Sequence, residues 1–290
     1  MTKSLVLLDG TSLRYTDSDF RLVQALAYRL TGVDIIDRKK QLVFSRLTRL
    51  VRGHGLSSIA DYIGRVDAGD ERIRTEFISA ITTHVTSFFR EVHHFGYLEK
   101  NLARQWQSRD SKRLRVWSAG CSSGEETYSI AMTLLSSLPA SDGWSHEVVG
   151  TDVDQKVIDR AARGIYKVDC GRSVPAHMRR FFQQGTGANA GLVRVKPEVR
   201  SVVRFNRENM LSASTRPGQY DVAFCRNVLI YFKNADVEAI CAKLLEAVRP
   251  EGYLFLGHSE GGCLDQNLVE RVGPTIYRKR ASECSSRQAG

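Results

Sequence analysis

Near the middle of the chain a run rich in strand-forming residues, RLRVWS at 113–118, breaks into Gly120-Cys121-Ser122-Ser123-Gly124 and then into a helical stretch at 125–138. A strand that leaves through a tight glycine turn and returns as a helix is half of a parallel crossover unit. The alternation then repeats. Strand-like runs stand at 147–150, 202–205, 220–225 and 253–257, and helical stretches at 155–163 and 235–248. Arg249-Pro250-Glu251-Gly252 reads as a stop before the last strand. Strands alternating with helices argue for an α/β fold, doubly wound around a parallel sheet. Residues 170–200 carry Gly185, Gly187, Gly191 and the strand-like Leu192-Val193-Arg194-Val195, and read as a small β insertion.

The upstream half has a different character. From 17 to 102 the pattern is helical, and Gln107 to Arg113 is a polar linker. Within 37–55, Leu42, Val43, Leu47, Leu50 and Val51 recur at helical spacing with Arg46, Arg49 and Arg52 between them, which predicts an amphipathic helix with a basic face. A further helix is predicted at 71–81. The domains are therefore expected at 15–85 (helical), 86–112 (connecting helix and linker) and 113–281 (α/β), with a disordered polar tail at 282–290. No internal repeats occur.

The net charge of +10 favours a polyanionic partner: nucleic acid, a membrane surface or an acidic protein face. Six cysteines without a C-x-x-C pair exclude zinc-finger spacing. A 290-residue chain with 42% hydrophobic residues needs no disulfide staples, so a reducing, cytoplasmic setting is expected. The run Leu5-Val6-Leu7-Leu8 is too short for a signal-peptide core, and no stretch approaches the ~18 apolar residues of a membrane span.

Four segments could carry chemistry. In the turn, Gly120 and Gly124 allow close approach of the backbone to a nucleotide-like ligand, or merely a tight turn. The same turn spells G-x-S-x-G, and Asp236 and His258 follow Ser122 in the order of an α/β-hydrolase triad. A helical upstream half and the lack of an HGGG-type segment weigh against that reading. Asp152, in Gly-Thr-Asp-Val-Asp about 30 residues after the turn, is placed by that spacing to accept both ribose hydroxyls; the plainer role for either aspartate, Asp154 first, is to cap the next helix. In Phe-Cys-Arg-Asn-Val-Leu-Ile-Tyr-Phe at 224–232, Asn227 offers an amide and Tyr231 a phenol, or both serve capping and packing. The N/D-P-P-Y/F tetrapeptide of nucleic-acid N-methyltransferases is missing there. Upstream, Thr-Ser-Phe-Phe-Arg-Glu at 86–91 brings Arg90 as a cation for a carboxylate. His93 and His94 are adjacent and are expected to point apart, so no metal site is predicted.

Together TSFFRE, VWSAGCSSGEETYSIAM, GTDVD, FCRNVLIYF and LFLGHSE resemble the chemotaxis receptor methyltransferases, the CheR-type family, over 20–277. The resemblance implies a doubly wound S-adenosylmethionine-dependent methyltransferase sheet with a small β insertion and an N-terminal all-helical domain. It implies methylation of glutamate side chains on receptor helices, with S-adenosylhomocysteine as product. Carried over by motif, the cofactor contacts would be His84, Thr86, Arg90, Gly120, Glu126, Asp152, Asn209, Met210, Asn227 and Val228. The family usually has Asn at the place of His84 and Pro at the place of Thr127, and small residues are common where Gly120-Cys121 stands. Arg90 and Tyr231 are the candidates for orienting the acceptor. Lys39, Lys40, Arg46, Arg49 and Arg52 would face an acidic receptor helix, and Gly187, Val193 and Val195 would form an exposed strand edge for a receptor's C-terminal pentapeptide. A nucleic-acid methyltransferase and a non-catalytic S-adenosylmethionine-binding signalling protein remain the alternatives.

Overall fold

The computed structural model describes residues 15–213 and 216–281; the run at 5–8 and the tail at 282–290 lie outside them. Local chemistry sets the helix ends. Thr16 and Asp19 form a capping box at the start of α1 (Asp17–Thr31). α2 (Lys40–Gly53) follows a 3-10 turn at Asp37–Lys39. Ser58 caps α3 (Ile59–Asp67), and Asp70 caps α4 (Glu71–Ile81) through the N–H groups of Arg72 and Ile73. These four helices share one core built on Val23, Leu47, Tyr62, Val66 and Phe77. α5 (Val92–Tyr97) continues through a π turn, Leu98–Leu102, into α6 (Ala103–Trp106).

The sheet begins with β1 (Arg113–Ala119), α7 (Glu125–Ser137), β2 (Ser145–Asp152) and α8 (Gln155–Arg163). A small insertion follows: β3 (Ile165–Lys167), β4 (Phe182–Gln184) and β5 (Leu192–Val195). It begins before the expected 170–200. α9 (Pro197–Arg200) and β6 (Val203–Arg207) lead to β7 (Tyr220–Cys225), α10 (Asn234–Ala247), β8 (Val248–Leu256), β9 (Val269–Gly273) and β10 (Ile276–Lys279). The main sheet runs β6-β2-β1-β7-β8-β10-β9; its first five strands are parallel, and β10 and β9 are antiparallel additions. Successive residues of a strand face opposite sides. Val116, Val222 and Phe224 accordingly pack with α5, α6 and α7, whereas Trp117 and Ala223 pack with α10. The fold class is the α/β arrangement expected.

Three details differ from the sequence reading. The Arg-Pro-Glu-Gly stretch at 249–252 is no stop but an irregularity inside β8: Tyr220 pairs with Val248, yet Val222 pairs with Tyr253. Proline and glycine are tolerated there because a bulge releases their ladder bonds. Cys241 on α10 and Cys263 after β8 form a disulfide, Cα atoms 6.5 Å apart, where none was expected. The insertion's order is β3-β5-β4, so the strand with Val193 and Val195 is central and paired on both sides rather than an exposed edge.

Candidate active site

The chain runs from β1 outward through β2 to β6, then returns to build β7 and β8 on the other side of β1. Beside such a reversal a crevice opens at the carboxyl ends of the strands. A pocket lies there, walled by Gly120, Cys121 and Ser122, by Asp152, by Glu208 and Met210, and by Asn227, Val228 and Tyr231. The helical half closes it from the opposite side with Thr31, Lys39 and the segment Thr82 to Arg90. Gly120 sits at φ 74°, and a Cβ there would meet Val228 Cγ1 at 2.9 Å. Ser122 and Asn227 are left-handed at φ 51° and 59°, and so are Phe89 and Glu91 on either side of Arg90. Such backbone costs about 1–3 kcal/mol per residue and clusters where function demands it.

Asp152 accepts from Ser122 N at 2.9 Å and from Asp154 N at 3.0 Å. Burial raises its carboxyl above the usual range, against those N–H groups and His84. Asp154 caps α8 through Lys156 N at 2.9 Å, and its other oxygen stands 2.9 Å from His84 Nε2. Burial would raise Asp154, but His84 and the Lys156 N–H outweigh it and hold the carboxyl low. Thr82 Oγ1 gives its proton to Ile78 O (2.7 Å), so at 2.8 Å it accepts from His84 Nε2, which fixes the tautomer. Glu126 accepts from Ser118 Oγ at 2.8 Å and from Arg226 Nη1 at 3.0 Å; burial raises it and Arg226 opposes. The buried Arg226 also donates to Arg90 O and lies 3.5 Å from Glu91, so one guanidinium ties three segments together. Arg90 donates to Val85 O at 3.1 Å.

Most of the predicted cofactor residues meet in this pocket: His84, Thr86, Arg90, Gly120, Glu126, Asp152, Met210, Asn227 and Val228, together with Tyr231. Asn209 does not line it; its amide donates to Leu30 O (3.2 Å) and accepts from Leu211 N (3.0 Å), and neighbouring Glu208 faces the pocket instead. Of the basic residues, Lys39 lies over the Tyr231 ring at 4.8 Å and Lys40 pairs with Asp17. Arg49 and Arg52 are exposed. Arg46 is half-buried, its Nη1 donating to Ala80 O and Thr82 O at 2.9 Å each. Gly187 is exposed, but Val193 and Val195 are buried in the insertion. Ser122, Asp236 and His258 do not assemble as a triad: Ser122 Oγ donates to His84 O, Asp236 accepts from the Tyr28 hydroxyl, and His258 is exposed. His93 and His94 do not point apart, their rings being 4.1 Å from each other, and Glu91 joins them. The Arg226 guanidinium beside Glu91 opposes a cation at that cluster. Ser118, Glu208 and Arg226 were missed, although Ser118 stands in the VWSAG segment, Arg226 in FCRNVLIYF and Glu208 beside Asn209, all already singled out.

Asn227 Oδ1 is buried without a partner, which suits a ligand bringing N–H groups, and the Gly120 floor leaves no room for a Cβ. This sheet order, with its glycine turn and the acid after β2, defines an S-adenosylmethionine-dependent methyltransferase. Residues 84–275 match the family described as CheR methyltransferase, SAM binding domain, and residues 18–82 match CheR methyltransferase, all-alpha domain. The chain belongs to the CheR methyltransferase family. It is 42% identical over 267 residues to Chemotaxis protein methyltransferase 2 of Pseudomonas aeruginosa, covering 91% of this chain and 93% of that one. It is 38% identical over 291 residues to the Chemotaxis protein methyltransferase of Salmonella typhimurium, covering 96% and 98%, and 37% identical over 278 residues to that of Escherichia coli, covering 94% and 95%. S-adenosylmethionine is its cofactor and methylation in chemotaxis its activity. Among the described residues no helix is long and apolar enough to cross a membrane.

Proposed function

We propose that the protein acts in the cytoplasm, transferring the methyl group of S-adenosylmethionine to glutamate side-chain carboxylates of chemoreceptors to give methyl esters. The observation that carries this reading is a pocket that brings the cations Lys39 and Arg90 together with the glycine turn at Gly120 and the carboxylate of Asp152. A glutamate acceptor fits such a site because it is ionised at neutral pH and needs no deprotonation. The bound cofactor supplies a methyl group already activated on a sulfonium. Asp152 would accept from its ribose, Asn227 would present its unpartnered oxygen, and Arg90 and Tyr231 would hold and orient cofactor and acceptor. Alignment of this kind lowers a barrier by up to about 7–11 kcal/mol. Lys39, which lines the pocket, and the exposed Arg49 and Arg52 of α2 would favour an acidic receptor helix, and an extended receptor peptide would join the insertion at the outer edge of β3 or β4.

The test is transfer of labelled methyl from S-adenosylmethionine to receptor-bearing membranes. Label should appear on the receptor and leave as methanol under mild alkali, and Arg90→Ala should abolish transfer or strongly weaken cofactor binding. Alkali-stable label on nucleic acid, or cofactor binding without transfer, would decide for one of the two alternatives.

A further inference from the structure

We infer that Glu260 is the positioning residue for the pocket-facing segment 227–231. The inference rests on the roles proposed for Asn227 and Tyr231. That segment leaves β7 through the left-handed Asn227 and enters a short 3-10 helix, Leu229–Tyr231, whose leading N–H groups lack partners within it. Glu260 comes from the turn after the neighbouring strand β8 and is buried. Its Oε2 accepts from Asn227 N at 2.7 Å and Gly257 N at 2.8 Å; its Oε1 accepts from Val228 N and Leu229 N, both at 2.8 Å. Only an ionised carboxylate can take four main-chain donors on two oxygens, and such charge-assisted bonds are the strong ones.

Gly257 completes the cradle. A Cβ there would collide with Glu260 Oε2 and meet Asn227 N at 2.7 Å. Glu260 itself does not line the pocket, whereas Asn227, Val228 and Tyr231 do. Its influence on the reaction therefore passes through their backbone. The carboxylate holds Asn227 in its strained conformation, keeps Val228 against Gly120, and sets where the Tyr231 ring stands.

The test compares Glu260→Gln, Glu260→Asp, Asn227→Ala and, as a stability control, Val269→Ala on the outermost strand. Melting temperature, calorimetric Kd for S-adenosylmethionine and for its demethylated product, and kcat and KM for methyl transfer are measured. A glutamine turns one acceptor oxygen into a donor facing two N–H groups. Glu260→Gln should therefore raise both Kd values and lower kcat by about tenfold or more. Glu260→Asp, which keeps the anion, should recover part of each. Val269→Ala should lower the melting temperature with Kd and kcat near wild type. Wild-type Kd and kcat in Glu260→Gln, or an equal loss in Val269→Ala, would overturn the inference. If Glu260→Gln does not fold, Gly257→Ala carries the comparison with the same criteria. If Asn227→Ala leaves Kd and kcat unchanged, the roles on which the inference rests fall; if it loses affinity and Glu260→Gln does not, only the inference falls.

Discussion

At position 94 an imidazole is sealed inside the protein. Its Nε2 donates to Thr275 Oγ1 at 2.9 Å, because Thr275 gives its own proton to Pro274 O. Burial first, then Arg226 and His93, pushes His94 down to about 3, so the folded protein keeps it neutral. The unfolded chain takes up that proton near pH 6.5. Between about pH 6.5 and 3 the unfolded state binds more protons, so stability falls with falling pH by up to about 1.4 kcal/mol per pH unit. His94→Gln should be less stable at pH 7.5 but show a shallower slope from pH 6.5 to 4.5 in urea unfolding. An unchanged slope would assign the acid sensitivity to other groups. Nothing in the sequence distinguishes this histidine from exposed His93 beside it. The difference is made by Phe255, whose ring packs edge-on to His94 from β8.

Elements are far more legible than the direction of single side chains. The helices at 71–81 and 155–163 and the strand at 220–225 were readable end to end, since capping aspartates, glycine stops and apolar periodicity agree there. β9 and β10 went unread because each is short, at four or five residues, and only part of each is buried. The motif-based site residues gather around one crevice, except that the Asn209 amide turns to Leu30 O and Leu211 N while its neighbours Glu208 and Met210 line the pocket. Arg46 shows the same limit on a helix. Period 3.6 assigns it to a basic face, yet its guanidinium turns in to bind the last carbonyls around α4. Arg46→Ala removes two bonds to carbonyl groups and should cost about 1–3 kcal/mol, with weaker cofactor binding because Thr82 to Thr86 wall the pocket. Arg49→Ala, on an exposed residue of the same helix, should stay within about 0.5 kcal/mol of wild type. Thermal unfolding with and without cofactor separates the two.

For the molecule as a whole, the net charge of +10 bears on encounter more than on fold. If the basic face meets an acidic receptor helix, KM for receptor should rise steeply between low and high salt while the cofactor Kd moves less. Equal salt responses would leave the charge unexplained by docking. The helical half and the sheet meet through polar links, among them Tyr28 to Asp236, Asn209 to Leu30 O, and His84 to Asp154, and through apolar contact of Val153 with the helical core. The crevice lies across that seam, with Thr31 and Lys39 on one bank and Gly120 and Asp152 on the other. An occupant therefore acts as mortar: whatever fills the gap adds its own binding free energy to the cohesion of the two halves.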